Sequence, residues 1–241
     1  MIEIKKGTEP EKLKTLREKA EENHLNPKQA YELLNRKKTL KREVRESLIK
    51  EQGGLCAYCM CKIPREGLAI GIAPITIEHL VPRDPEDGKD IGQGLDYNNL
   101  LAVCEGNRGL KGTRTSSDLT CDAAKGNKEF RKINPCKPET LESITYTLDG
   151  KIDAEDEDVR YDLIEILNLN CPTSPLVDER KAVLDEIIDE ISQMEFQEED
   201  QINTYCEDRL QIFENEVEEK TPYVGIIIWY LKSLLQNNTA C

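Results

Sequence analysis

Nine cysteines lie in 241 residues, and their spacing constrains the fold more than any other feature. Cys56 and Cys59 stand in "GGLCAYCMCKI" with two residues between them. Two thiolates at that spacing can face one metal where the backbone turns between them, so the pair reads as half of a tetrahedral zinc site. Redox pairs and chance produce the same spacing, so a second half is needed. Cys104, in "NLLAVCEGN", and Cys121, in "LTCDAAKGNK", are the candidates, and Cys61 or Cys136 could replace a member. Residues 105–120 would then loop out between the last two ligands. An odd cysteine count, with no basic start and apolar core of an export signal, suits reduced thiols or metal ligands better than disulfides. The expected location is cytoplasmic.

Net charge is −14, which on its face argues against a polyanionic partner, but the charge is unevenly divided. Residues 139–241 hold 7 Lys and Arg against 26 Asp and Glu, whereas residues 1–138 hold 26 against 21. Phosphate binding depends on the local basic surface rather than on the sum. Within residues 101–138, eight basic side chains (Arg108, Lys111, Arg114, Lys125, Lys128, Arg131, Lys132, Lys137) face four acids. Any one of them is as readily a solvated charge as a phosphate contact.

Periodicity divides the chain into three stretches. Residues 1–52 read as an N-terminal helical segment. Asn26-Pro27 opens one helix by capping and by proline at its first position. "LKREVRESLIKEQ" sets Leu40, Val44, Leu48 and Ile49 on one face and Lys37, Lys38, Lys41, Arg42 and Arg45 on another. Gly53-Gly54 breaks this helix. Residues 53–138 are rich in Cys, Gly, Pro and Asn and read as a small, loop-rich domain. Residues 139–241 form an acidic third, with a hairpin around Asp149-Gly150 followed by helices. Its apolar run "YVGIIIWYLKSLL" is too short to span a bilayer and reads as buried core, or in part as a docking surface.

Only two histidines occur. His24, before the Asn26 cap, reads as an exposed turn residue. His79 ends the apolar run in "ITIEHLVP", directly after Glu78. Histidine can take up and return a proton near neutral pH, although a half-buried strand-end residue is the ordinary role at such a place.

The order of these features decides the reading. A C-x-x-C pair is followed by a strand ending in Glu-His, then Asn-Leu-Leu, then a cysteine, then Cys-Asp-x-x-Lys-Gly opening a helix. From Cys56 to about Lys128 this order resembles the HNH endonucleases. A closer likeness, carried by "VRESLIKEQGGLCAYC", "ITIEHLVPRD", "LDYNNLLAVCEGNRG", "CDAAKGN" and "LNLN" at 167–170, is to the PtuB-like HNH subunits of Septu-type and retron-associated antiphage systems.

The resemblance implies an α+β chain, mostly helical, with an embedded zinc-stapled ββα-metal finger. It implies a nuclease in which His79 is the general base, Glu78 and Asp122 bind a divalent ion, and Asn99 (or its neighbour Asn98) holds the loop that orients His79. Asn127 could share the metal role, and Lys125 could reach the phosphate. Two carboxylates suit Mg²⁺ or Mn²⁺, beside a structural Zn²⁺ on Cys56, Cys59, Cys104 and Cys121. Attack by water would leave a 5′-phosphate and a 3′-hydroxyl. Arg108, Lys111, Arg114, Lys128, Arg131 and Lys132 are the expected nucleic-acid contacts. Implied partners are DNA or RNA, an ATPase of the PtuA type, and in some systems a retron reverse transcriptase with its DNA; no membrane is implied. Glu78 is longer than the usual Asp, and Asp122 replaces the usual His or Asn, so the ion site carries extra negative charge. The rival expectation is a zinc-stabilised module that binds nucleic acid or protein without cutting, for which Glu78, His79 and Asp122 are dispensable.

Overall fold

The computed structural model describes residues 1–63, 75–84, 94–108, 115–194, 196 and 199–238. Lys111 and Arg114 lie outside the described residues. Three helices come first: α1 (Glu11–Glu22), α2 (Pro27–Arg36) and α3 (Lys38–Glu51). Asn26 caps α2 as the sequence predicts. Its side chain accepts the Gln29 amide, and Gln29 returns the bond to the Asn26 backbone. Leu40, Val44, Leu48 and Ile49 are buried on the inner face of α3.

After α3 the chain reverses through Gly53 (φ +65°) and Gly54 (φ +79°). The following turn closes on itself, with the Cys56 amide donating to Cys61 O at 2.9 Å and that of Ile63 to Gly54 O at 2.8 Å. Strand β1 (Ile75–His79) pairs antiparallel with β2 (Leu100–Cys104), in a register that sets Glu78 opposite Leu101 and His79 opposite Leu100. Buried Gln52 fastens α3 to this sheet. Its amide nitrogen donates to Leu55 O and Ala102 O, while its oxygen accepts the Ala102 amide at 2.8 Å. Helix α4 (Cys121–Lys125) completes a ββα unit.

A hairpin of β3 (Ile144–Tyr146) and β4 (Ile152–Ala154) leads through α5 (Glu157–Tyr161) and a wide helical turn at Asp162–Ile166 to α6 (Leu176–Ser192), α7 (Glu199–Glu214) and α8 (Val224–Asn238). The helical turn ends at Ile166. The apolar run of α8 packs inward. Val224, Ile226, Ile227 and Leu231 are buried, and Trp229 lies against Tyr146, with centroids 6.1 Å apart.

One hydrophobic cluster runs from Leu13 through Leu48, Tyr58, Leu101 and Leu163 to Leu231, so all three sequence stretches contribute to one core. Backbone bonds reinforce the joint. Lys220 donates to Gly53 O and Tyr223 to Met60 O, and Cys121 donates to Leu167 O at 2.9 Å. Asp162 is fully buried, and its carboxylate accepts the successive amides of Arg131, Lys132 and Ile133 at 2.9, 2.8 and 2.9 Å. Hydrogen bonds to a charged acceptor are worth about 1.5–3 kcal/mol each, and an orphaned buried donor costs a comparable amount. Asp162→Asn keeps the shape but removes the charge, and should destabilise the protein by about 2–3 kcal/mol. That corresponds to a fall in Tm of roughly 5–10 °C for a chain of this size. A denaturation midpoint unchanged from wild type would refute this role.

Candidate metal centre and active site

Cys56, Cys59, Cys104 and Cys121 come together: their sulfurs all lie within 4.8 Å of one another. A tetrahedral ion with Zn–S bonds of about 2.3 Å sets sulfurs about 3.8 Å apart, and Cys59 Sγ and Cys104 Sγ are separated by 3.8 Å. The Cys104 amide points at Cys56 Sγ, at 3.4 Å. All four thiols are soft donors in a closed set, three of them buried and Cys104 half-buried, which fits a structural zinc and leaves no position for a reacting ligand. Cys121 adopts φ +52°, a strained value for a residue with a Cβ, which persists where the surroundings over-determine it. Its amide bond to Leu167 and its place in the sulfur cluster supply that constraint. Cys61 lies beside the cluster but outside the four-sulfur group, and Cys136 neighbours Lys6 and Glu51 instead.

A second cluster begins one residue before the end of β1. Glu78 is buried, and its Oε1 accepts Lys125 Nζ at 2.7 Å and the Tyr58 hydroxyl at 3.1 Å. Tyr58 stands between the two cysteines of the C-x-x-C turn, so the metal knuckle and the carboxylate share a hydrogen bond. Lys125, expected at the phosphate, instead points inward. It is 1% exposed, and its Nζ also donates to His79 O at 3.1 Å. The reason lies in α4: Asp122 and Lys125 are three residues apart, so they share the helix face turned to the sheet. Asp122 is buried beside Glu78, and its Oδ2 accepts Arg108 Nη1 at 2.9 Å. Burial first, then the adjacent Asp122, pushes Glu78 up to about 8, against the downward pull of Lys125. Two crowded carboxylates offer hard oxygen ligands of the kind a divalent cation takes. Asn127 is exposed in the turn beyond α4.

His79 is 6% exposed, and Tyr31 of α2 covers its ring edge-on at 4.6 Å between centroids. Its Nε2 lies 3.0 Å from Gly94 O. A carbonyl only accepts, so Nε2 carries the proton and Nδ1 keeps its lone pair. Desolvation lowers His79 to about 4, so the ring is neutral at pH 7. Gly94 is required by close approach, since a Cβ there would meet Pro27 O at 2.1 Å. The loop after His79 is clamped by Asn99, whose Oδ1 accepts the Val81 amide at 2.8 Å and whose Nδ2 donates to Val81 O at 3.0 Å. Asn98 is exposed, so the structure puts Asn99 rather than its neighbour against this loop. His24 sits exposed in a turn at φ +52°.

The basic residues fare unevenly. Arg131 reaches Asp158 and covers the Tyr161 ring at 3.4 Å, and Lys132 pairs with Asp156 at 2.5 Å. Lys128 is exposed. Tyr31, Tyr58 and Arg83, which packs its guanidinium over Tyr31 at 4.3 Å, were not singled out from the sequence. A tyrosine inside C-x-x-C was the one local signal for Tyr58.

The site thus combines a closed four-thiol centre with a neutral histidine and paired carboxylates on a ββα unit of an α+β chain. No family model matches the chain. It is 29% identical over 167 residues to a protein of Escherichia coli named retron Ec83 putative HNH endonuclease. That match takes in 55% of this chain and 61% of the relative. No helix among the described residues is long and apolar enough to cross a membrane.

Elemental analysis should find about one zinc per chain. Cys121→Ser should lose the metal and lower Tm, whereas Cys61→Ser and Cys136→Ser should keep it. Zinc retained in Cys121→Ser would exclude the four-cysteine assignment.

Proposed function

We propose that this protein is a metal-dependent HNH endonuclease that hydrolyses phosphodiester bonds of DNA or RNA. The observation that carries the reading is His79: a neutral imidazole with Nδ1 unprotonated, fixed at a strand end next to two acids. Such a base takes a proton from the attacking water, a contribution of typically 10²- to 10⁴-fold. Gly94 O and Tyr31 hold the ring from two sides, and Asn99 holds the backbone that follows it. Asn99 and Lys125 are therefore positioning residues in this reading.

Glu78 and Asp122 would hold Mg²⁺ or Mn²⁺. When bound, such an ion supplies charge neutralisation at the phosphate and the leaving oxygen. Lys125 and Arg108 offset the charge of the two carboxylates. The cysteine centre serves only to staple the turn at 56–59 to β2 and α4.

The finer reading places the protein in antiphage defence, as a PtuB-like subunit of a Septu-type or retron-associated system beside a PtuA-type ATPase, in the cytoplasm. The name of the Escherichia coli relative, a retron HNH endonuclease, supports the retron association. An ATPase contact would fall to exposed acids such as Glu186, Asp189, Glu207 and Asp208 of α6 and α7, because the apolar side of α8 is consumed by the core.

The test is a cleavage assay on duplex DNA, single-stranded DNA and RNA, with and without the ATPase. Cleavage should require Mg²⁺ or Mn²⁺ and stop under mild chelation that leaves zinc in place. His79→Ala should reduce the rate by about 10²-fold or more with unchanged zinc content, and Asn99→Ala should reduce it less. Wild-type cleavage by His79→Ala would favour the non-cutting zinc module and end this mechanism.

A further inference from the structure

Most of the basic residues expected to grip phosphate already have anionic partners. Arg108 is turned to Asp122, Lys125 to Glu78, Arg131 to Asp158 and Lys132 to Asp156. A different set of cations has no ion pair among the described residues, and it gathers around Tyr31, the ring that packs against His79.

Tyr31 is the centre of this set. Its ring touches His79 on one side, while Arg83 sits 4.3 Å and Lys41 5.5 Å from its centroid. Arg45, one helical turn after Lys41 on α3, acts electrostatically on the same ring. Among the described residues none of Lys41, Arg45 and Arg83 forms an ion pair. Lys41 instead donates to the Asn35 amide oxygen at 2.5 Å. Nε of Arg45 and Nη1 of Arg83 are buried with no hydrogen-bond partner. Asp84 is turned away to Lys28, at 2.7 Å. Glu32 attracts Lys41 without pairing with it, and burial followed by Arg45 and Arg83 pulls the Lys41 ammonium down.

Three cations that repel one another, two of them with orphaned donors, are an arrangement that an anion would relieve. A buried donor left without an acceptor loses its bonds to water and gains none in return. Arginine forks match phosphate oxygens bidentately, and lysine adds a point charge. The register is also fixed. Arg83 follows Val81, which Asn99 clamps, and Arg45 and Lys41 stand on a helix tied to β2 through Gln52.

We propose that Lys41, Arg45 and Arg83 form a phosphate clamp that holds the backbone of a nucleic-acid strand across Tyr31, next to His79. The inference rests on the nuclease reading for its ligand. It adds a substrate contact made by the N-terminal helical segment and the loop after β1, outside the 101–138 cluster.

The experiment is binding without cleavage. Fluorescence anisotropy would follow a labelled DNA duplex, a DNA single strand and an RNA single strand in chelator, using His79→Ala protein as the parent. Lys41→Gln, Arg45→Gln and Arg83→Gln would be added singly and together, with Lys132→Gln as a control. The triple variant should bind at least about 10-fold more weakly, with a salt slope shallower by about one per phosphate contact removed. Arg45→Lys and Arg83→Lys should retain most of the slope, and Lys132→Gln should bind as the parent. Zinc content and Tm report whether each variant is folded. The probe whose affinity falls most identifies the strand type held. Unchanged affinity and slope in the single and triple variants on every probe would overturn the clamp, as would a parent that binds none of them. If the clamp variants lose binding while wild-type protein cuts nothing, the clamp stands and the nuclease reading falls. If His79→Ala abolishes cutting but the clamp variants bind as the parent, the reverse holds.

Discussion

Four sulfurs from three distant stretches meet at one point, and the geometry of the site follows from that meeting. The cluster fixes the turn at 56–59, the end of β2 and the start of α4 relative to one another. Tyr58, set inside the turn, then reaches Glu78. Asp122, the residue after a ligating cysteine, is brought to the same carboxylate. Cys121 is held in a left-handed conformation to achieve this. Without the cluster, α4 is only five residues long, too short to persist through its own hydrogen bonds.

Charge is distributed around this scaffold by burial. Glu78 and Asp122 are forced together out of water, and Lys125 and Arg108 offset them. On the other side of His79, three cations gather around Tyr31, and among the described residues no acid forms an ion pair with them. The histidine therefore lies between two carboxylates that are each engaged by a cation and, across Tyr31, a group of three cations that suits a phosphate. These arrangements act at short range, so the whole-chain charge of −14 says little about either.

The acidic last third is part of the scaffold. Asp162 caps three amides just beyond α4, Leu167 receives the Cys121 amide, and residues 220–223 bond to the metal turn. His79, Glu78 and Asp122 all fall within the first 138 residues, while the inward side of the last third completes the core.

The local parts of the fold are legible in the order of residues. It marked the Asn26 cap, the Gly53-Gly54 break, the hairpin at Asp149-Gly150, the buried character of the run after Tyr223, and the strand that ends in Glu78-His79. Each depends on neighbours within a few residues, where capping, period and turn chemistry act. The family order of the motif elements also nominated the four cysteines, His79 and Asn99. Only the tertiary structure chose among Cys61, Cys136 and the four that converge, and between Asn98 and Asn99. It alone turned Lys125 inward to Glu78, paired Arg131 and Lys132 with acids of the last third, packed Tyr31 against His79, and gathered Arg83, Lys41 and Arg45 around Tyr31. Those outcomes depend on which side chains share a buried space after residues tens of positions apart have packed. No spacing rule along the chain carries that information.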